Sequence, residues 1–80
     1  GMQVHNTSGS LLVTFSENEA VSDLQLINLQ GQRVWALSQN LQEDLHMINI
    51  STRDFSEGIY FVKATLSSQE RYSKVFVVKE

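Results

Sequence analysis

The side chains of this 80-residue chain that could do chemistry are few. They comprise two histidines, His5 and His46, and two close carboxylate pairs, Glu17 with Glu19 and Asp54 with Glu57. A metal site needs imidazoles at a spacing that lets them converge, and neither histidine lies in an H-x-x-x-H or H-x-H arrangement. His46 falls in a strand with hydrophobic neighbours and reads as a rim residue. Glycosidase chemistry needs two carboxyls facing each other across a cleft. Both pairs here lie in polar loops and read as solvated turns. No serine stands in a G-x-S-x-G elbow, and Gly31 and Gly58 are isolated rather than gathered into a phosphate loop. Asn6-Thr7-Ser8 and Asn49-Ile50-Ser51 match the N-glycosylation acceptor, a three-residue pattern of little weight. The expectation is a chain that is not an enzyme and holds no metal or cofactor.

Composition narrows the classes further. Lys and Arg number 6 against 9 Asp and Glu, for a net charge of −3. The basic residues Arg33, Arg53, Lys63, Arg71, Lys74 and Lys79 are scattered, whereas nucleic-acid binding needs a clustered basic face. There is no Cys, which excludes disulfides, thiolate nucleophiles, zinc ribbons and iron–sulfur sites. Pro is also absent, leaving Gly, Asn and Ser to form turns. Val75 to Val78 is as long as any uninterrupted apolar run, far short of the ~20 residues of a membrane helix, so no membrane insertion is expected. No basic start followed by an apolar core marks a signal peptide. Gly1-Met2 reads as a tag remnant or a trimmed start. The length suits one domain over residues 1–80, burying roughly 60–65% of its unfolded surface. Residues 1–9 read as a tag remnant, a linker or an edge strand.

The elements follow from period-two alternation. Leu11, Val13 and Phe15 put one apolar face on a strand of about seven residues. Leu24 and Leu26 alternate with Gln25 and Ile27 in a second strand running to Leu29. Gln30-Gly31 reads as a tight hairpin turn, because Gly accepts positive φ. Arg33 to Leu37 returns as a third strand, and Ser38 to Asp44 is polar and loop-like. Leu45 to Ile50 forms another strand, with Ile48 and Ile50 on one face. Ser51 to Glu57 connects onward and carries Phe55 as an inward anchor. Tyr60, Val62, Ala64 and Leu66 line one face of the next strand. Ser67-Ser68-Gln69 turns the chain, and Arg71 to Val78 closes it. With Met2 to His5 as a further short strand, the reading is all-β: a small immunoglobulin-like antiparallel β-sandwich of six or seven strands.

Three local features could matter more than the rest. Phe55-x-x-Gly58-x-Tyr60 resembles the tyrosine corner of immunoglobulin-like sandwiches, in which the ring enters the core and the hydroxyl bonds back to loop backbone. Trp35 reads as core or half-exposed packing in preference to a sugar-stacking platform. Val75-Phe76-Val77-Val78 is apolar at every position, which suits either a central strand covered on both faces or a terminal segment that another protein recognises by strand addition.

The order of these segments carries a resemblance. Leu24 to Val34 is a hairpin with Gly31 at its turn. Met47-Ile48-Asn49-Ile50-Ser51 follows the polar loop. Phe55-Ser56-Glu57-Gly58-Ile59-Tyr60-Phe61-Val62-Lys63 opens a strand, and Tyr72-Ser73-Lys74-Val75-Phe76-Val77-Val78-Lys79 finishes the chain. Over residues 10 to 79 this resembles the C-terminal sorting domain of the type IX (Por) secretion system of Bacteroidetes. The chain departs from that pattern in lacking a Pro-Asn-Pro-like opening and in carrying Phe55 where Leu is usual.

The resemblance implies a non-enzymatic sorting or anchoring module at the end of an exported protein. Its partners would be the outer-membrane translocation and sortase machinery and a cargo domain upstream. Its route would run through the periplasm to the cell surface or beyond. Carried onto this chain, Gly31, Phe55, Gly58 and Tyr60 would be structural, and Lys74, Val75, Phe76, Val77, Val78 and Lys79 would form the recognition surface. A second reading is an immunoglobulin-like accessory or adhesion module, carbohydrate-associated or not, with no sorting role.

Overall fold

The computed structural model describes residues 1–16, 20–37 and 46–78. Among these, alternating sequence becomes strand throughout: β1 (Met2–Thr7), β2 (Ser10–Phe15), β3 (Val21–Asn28), β4 (Arg33–Leu37), β5 (Met47–Ser51), β6 (Gly58–Leu66) and β7 (Gln69–Val77). All pairings are antiparallel. β1, β2 and β5 form a three-stranded sheet, and β4, β3, β6 and β7 follow in that order across a four-stranded one. The all-β sandwich expected from the sequence is therefore present, with the local hairpins β1–β2, β3–β4 and β6–β7 joined by the distant pairings β2–β5 and β3–β6.

The alternation predicts the core. Leu11, Val13 and Phe15 of β2, Ile50 of β5, Leu24 and Leu26 of β3, and Tyr60, Val62, Ala64 and Leu66 of β6 are buried together between the sheets. Burying one such aliphatic side chain contributes about 1.5–3 kcal/mol, so this cluster is the main source of stability. Phe55 packs against it from the β5–β6 connection, as expected of an inward anchor.

Several boundaries differ from the sequence reading. β3 ends at Asn28, and Leu29 lies in the turn with its side chain mostly exposed. The cause is Asn28, whose Oδ1 accepts the N–H groups of Gln30 and Gln32 at 3.0 and 2.9 Å. A three-residue loop, Leu29 to Gly31, therefore replaces a turn centred on Gln30-Gly31, and Gly31 takes φ +84°, the left-handed residue that this loop type requires. Ser51 belongs to β5, where it pairs with Ser10. His46 precedes β5 and is exposed, its carbonyl accepting the Phe15 N–H at 2.8 Å. The last hairpin turns on Ser67-Ser68 alone, both at positive φ, so that Gln69 already pairs with Leu66. The expected loop from Ser38 to Asp44, and Leu45 with it, fall outside the described residues.

The largest correction concerns Val75 to Val78. A central strand covered on both faces is not what forms: β7 is the outermost strand of its sheet. Val75 and Val77 enter the core, whereas Phe76 and Val78 are each 51% exposed.

Candidate functional site

Two regions carry side chains whose placement goes beyond packing: the corner that launches β6, and the outer strand β7. At the corner, Thr52 is buried and its N–H donates to the Gly9 carbonyl at 3.0 Å, tying the β5–β6 connection to the β1–β2 hairpin. The Phe55 N–H donates to the Thr52 carbonyl at 3.1 Å, which swings the Phe55 ring onto Tyr60, centroid to centroid 6.1 Å at 39°. The Tyr60 hydroxyl donates back to the Ser56 carbonyl at 2.7 Å. This is the geometry of a tyrosine corner, in which a buried ring keeps its polar tip satisfied by loop backbone. Gly58 allows the entry: its φ of +151° is one that residues with a Cβ rarely adopt.

Along β7 and at Val78 just past it, alternation sorts five of the six expected recognition residues. Val75 and Val77 point inward, and Lys74, Phe76 and Val78 are exposed. Lys79 lies outside the described residues. The Asn6 side-chain amide donates to the Phe76 carbonyl, so β1 of one sheet holds the edge of the other. Nothing in the sequence singles out Asn6 for this task. The two residues are 70 positions apart, and only the fold joins them. Beside this edge Lys63 meets Glu70 at 3.1 Å. The Glu70 carboxylate, as hydrogen-bond acceptor and as neighbouring charge, holds the Lys63 ammonium above its usual pKa.

The remaining candidates are dispersed. His5 lies exposed on β1, and His46, Asp54 and Glu57 are exposed in connections. Glu17 and Glu19 are outside the described residues. No group of three or more His, Asp or Glu gathers where it could hold a metal, among the described residues. Trp35 is half-buried, packed against the core opposite Leu26.

The class these observations define is a small antiparallel β-sandwich with a tyrosine corner and an outer, partly apolar closing strand. The family model of the secretion system C-terminal sorting domain matches residues 6–79, nearly the whole chain. The protein therefore belongs to the family of type IX secretion C-terminal sorting domains, which send the proteins carrying them to the cell surface or the extracellular space. No curated protein matches the chain.

Proposed function

We propose that the domain is a non-enzymatic address and anchoring module whose signal is the outer strand β7. Lys74, Phe76, Val78 and, beyond the described residues, Lys79 meet the outer-membrane translocation and sortase machinery. Val75 and Val77 hold the strand in place from within. The cargo domain sits upstream and crosses the periplasm before it is read. The observation that carries this is the family match combined with a strand that divides its side chains between core and solvent. Gly31, Phe55, Gly58 and Tyr60 serve the fold.

The test is a fusion of residues 2–80 to the C-terminus of a periplasm-targeted fluorescent reporter, in a Bacteroidetes host with and without the type IX machinery. Reporter outside the cell only when the machinery is present supports the proposal. An intact, folded fusion retained in the periplasm of both hosts overturns it. The accessory or adhesion alternative, carbohydrate-associated or not, draws no support from Trp35, which is half-buried and packed against the core.

A further inference from the structure

In an antiparallel ladder, residues alternate between those whose N–H and C=O face the neighbouring strand and those whose groups face away. The two-residue turn at Ser67-Ser68 fixes this phase for β7, because Leu66 and Gln69 flank it as a hydrogen-bonded pair. Gln69, Arg71, Ser73, Val75 and Val77 then bond to β6, and Glu70, Tyr72, Lys74 and Phe76 turn their backbone groups outward. The Asn6 contact to the Phe76 carbonyl has the phase this requires. Among the described residues, no strand continues the backbone ladder beyond β7, and the Asn6 side chain of β1 takes the Phe76 carbonyl at one end of that edge, leaving Glu70 to Lys74 for a further strand.

Natural edges of this kind are blunted by proline, by bulges or by charges that repel a second strand. β7 has no proline, and its register against β6 runs unbroken from Gln69 to Val77. Its charges do not repel a copy of themselves. We infer that two copies of the domain pair antiparallel along β7, about a twofold axis at Tyr72, to make one continuous eight-stranded sheet from two four-stranded ones.

In that register Tyr72 lies opposite the partner's Tyr72, and the two exchange both backbone hydrogen bonds. Glu70 lies opposite the partner's Lys74, and Lys74 opposite the partner's Glu70, so the edge is complementary to itself at both ends. Arg71 falls opposite the partner's Ser73, with no like charges facing. Opposite charges directly across a strand pair stabilise it, and like charges destabilise it. A patch that repeats its own complement under a twofold is the requirement for a closed dimer. Glu70, Tyr72 and Lys74 are all exposed, with Tyr72 at 58%. The Glu70 contact to Lys63 comes from within its own sheet. It is compatible with a second cation across the edge, because a carboxylate accepts several donors. The inference stands apart from the sorting role, although pairing would cover the strand proposed above as the signal.

Sedimentation equilibrium of residues 1–80 tests it. The apparent mass is expected to rise from 9.1 kDa toward twice that as concentration goes from micromolar to millimolar. The rise should weaken as salt is added, because exposed ion pairs are screened. Glu70→Lys and Lys74→Glu each put like charges across both ends of the edge, and each variant alone is expected to remain monomeric. Mixed in equal amounts, they restore two opposite-charge pairs and are expected to form a heterodimer. Circular dichroism confirms that each variant is folded before it is scored. A wild type that stays monomeric throughout overturns the inference, and so do charge variants that still self-associate or fail to combine.

Discussion

The hydroxyl of Tyr60 donates to the carbonyl of Ser56, four residues back along the chain, at 2.7 Å. It is a bond to loop backbone from a ring that is itself core, so the corner and the sandwich interior are stabilised together. Tyr60→Phe keeps the ring and removes only the bond, leaving the carbonyl to water. The expected loss is about 1 kcal/mol, seen as a melting temperature lower by roughly 4–8 °C in a domain of this size. An unchanged melting temperature would mean that the bond contributes nothing net.

The glycine that admits this corner should be harder to replace than its open surroundings suggest. A Cβ at Gly58 meets nothing within 4 Å, yet the backbone there stands at φ +151°. Gly58→Ala is therefore expected to cost on the order of 1–3 kcal/mol through backbone strain alone, measured by urea denaturation. A cost near zero would show that the strand entry relaxes freely.

The reverse holds at the last turn. Ser67 and Ser68 both sit at positive φ, at 48° and 69°, where hairpins of this length favour Asn-Gly. Replacing the pair with Asn-Gly should raise stability by about 1 kcal/mol, because the left-handed backbone costs residues other than Gly and Asn about 1–2 kcal/mol each, and it should leave the β6–β7 register intact, as amide exchange can check.

The two faces of β7 should separate stability from sorting. Val77→Ala removes buried carbon and is expected to cost about 2 kcal/mol, and deletion of residues 75–80 should unfold the domain. Lys74 is exposed, so Lys74→Ala should alter stability by less than about 0.5 kcal/mol while reducing secretion of a fused reporter. Equal secretion from Lys74→Ala and wild type would remove that lysine from the signal.

The Lys63–Glu70 pair sets a pH dependence whose direction is fixed. Glu70 raises the Lys63 pKa in the folded state, so the pair's contribution is complete below the unfolded-state value near 10.4. It fades as pH rises through the higher folded value. Titrating the Lys63 side chain by NMR should show its midpoint falling in Glu70→Gln, and no fall would mean that another group is responsible.

Much of the sandwich was legible because period-two alternation is a local property. Leu11, Val13 and Phe15, and Tyr60 through Leu66, announce their buried faces without reference to any neighbour. The tyrosine corner was legible for the same reason, since its partners lie within a few residues. What the alternation could not convey was adjacency. Val75 to Val78 is apolar at each position, and only the strand order decides that Phe76 and Val78 face solvent rather than a covering layer. The Asn28 side chain also moved a turn, because its carbonyl oxygen competes for two backbone donors. For the proposed recognition residues, the sequence offered the segment as an expectation, and the fold decides that Lys74, Phe76 and Val78 are the described members that reach the surface.

The contact between Asn6 and Phe76 has a consequence in time. It joins positions 70 residues apart, and such distant contacts form only after the entropy of closing the intervening chain has been overcome. Folds dominated by distant pairings reach their native state in milliseconds to seconds rather than microseconds. The edge of β7 cannot be latched before the first strand and the last of the described strands have met. A receptor that binds the latched edge would be testing whether the molecule in front of it has finished folding.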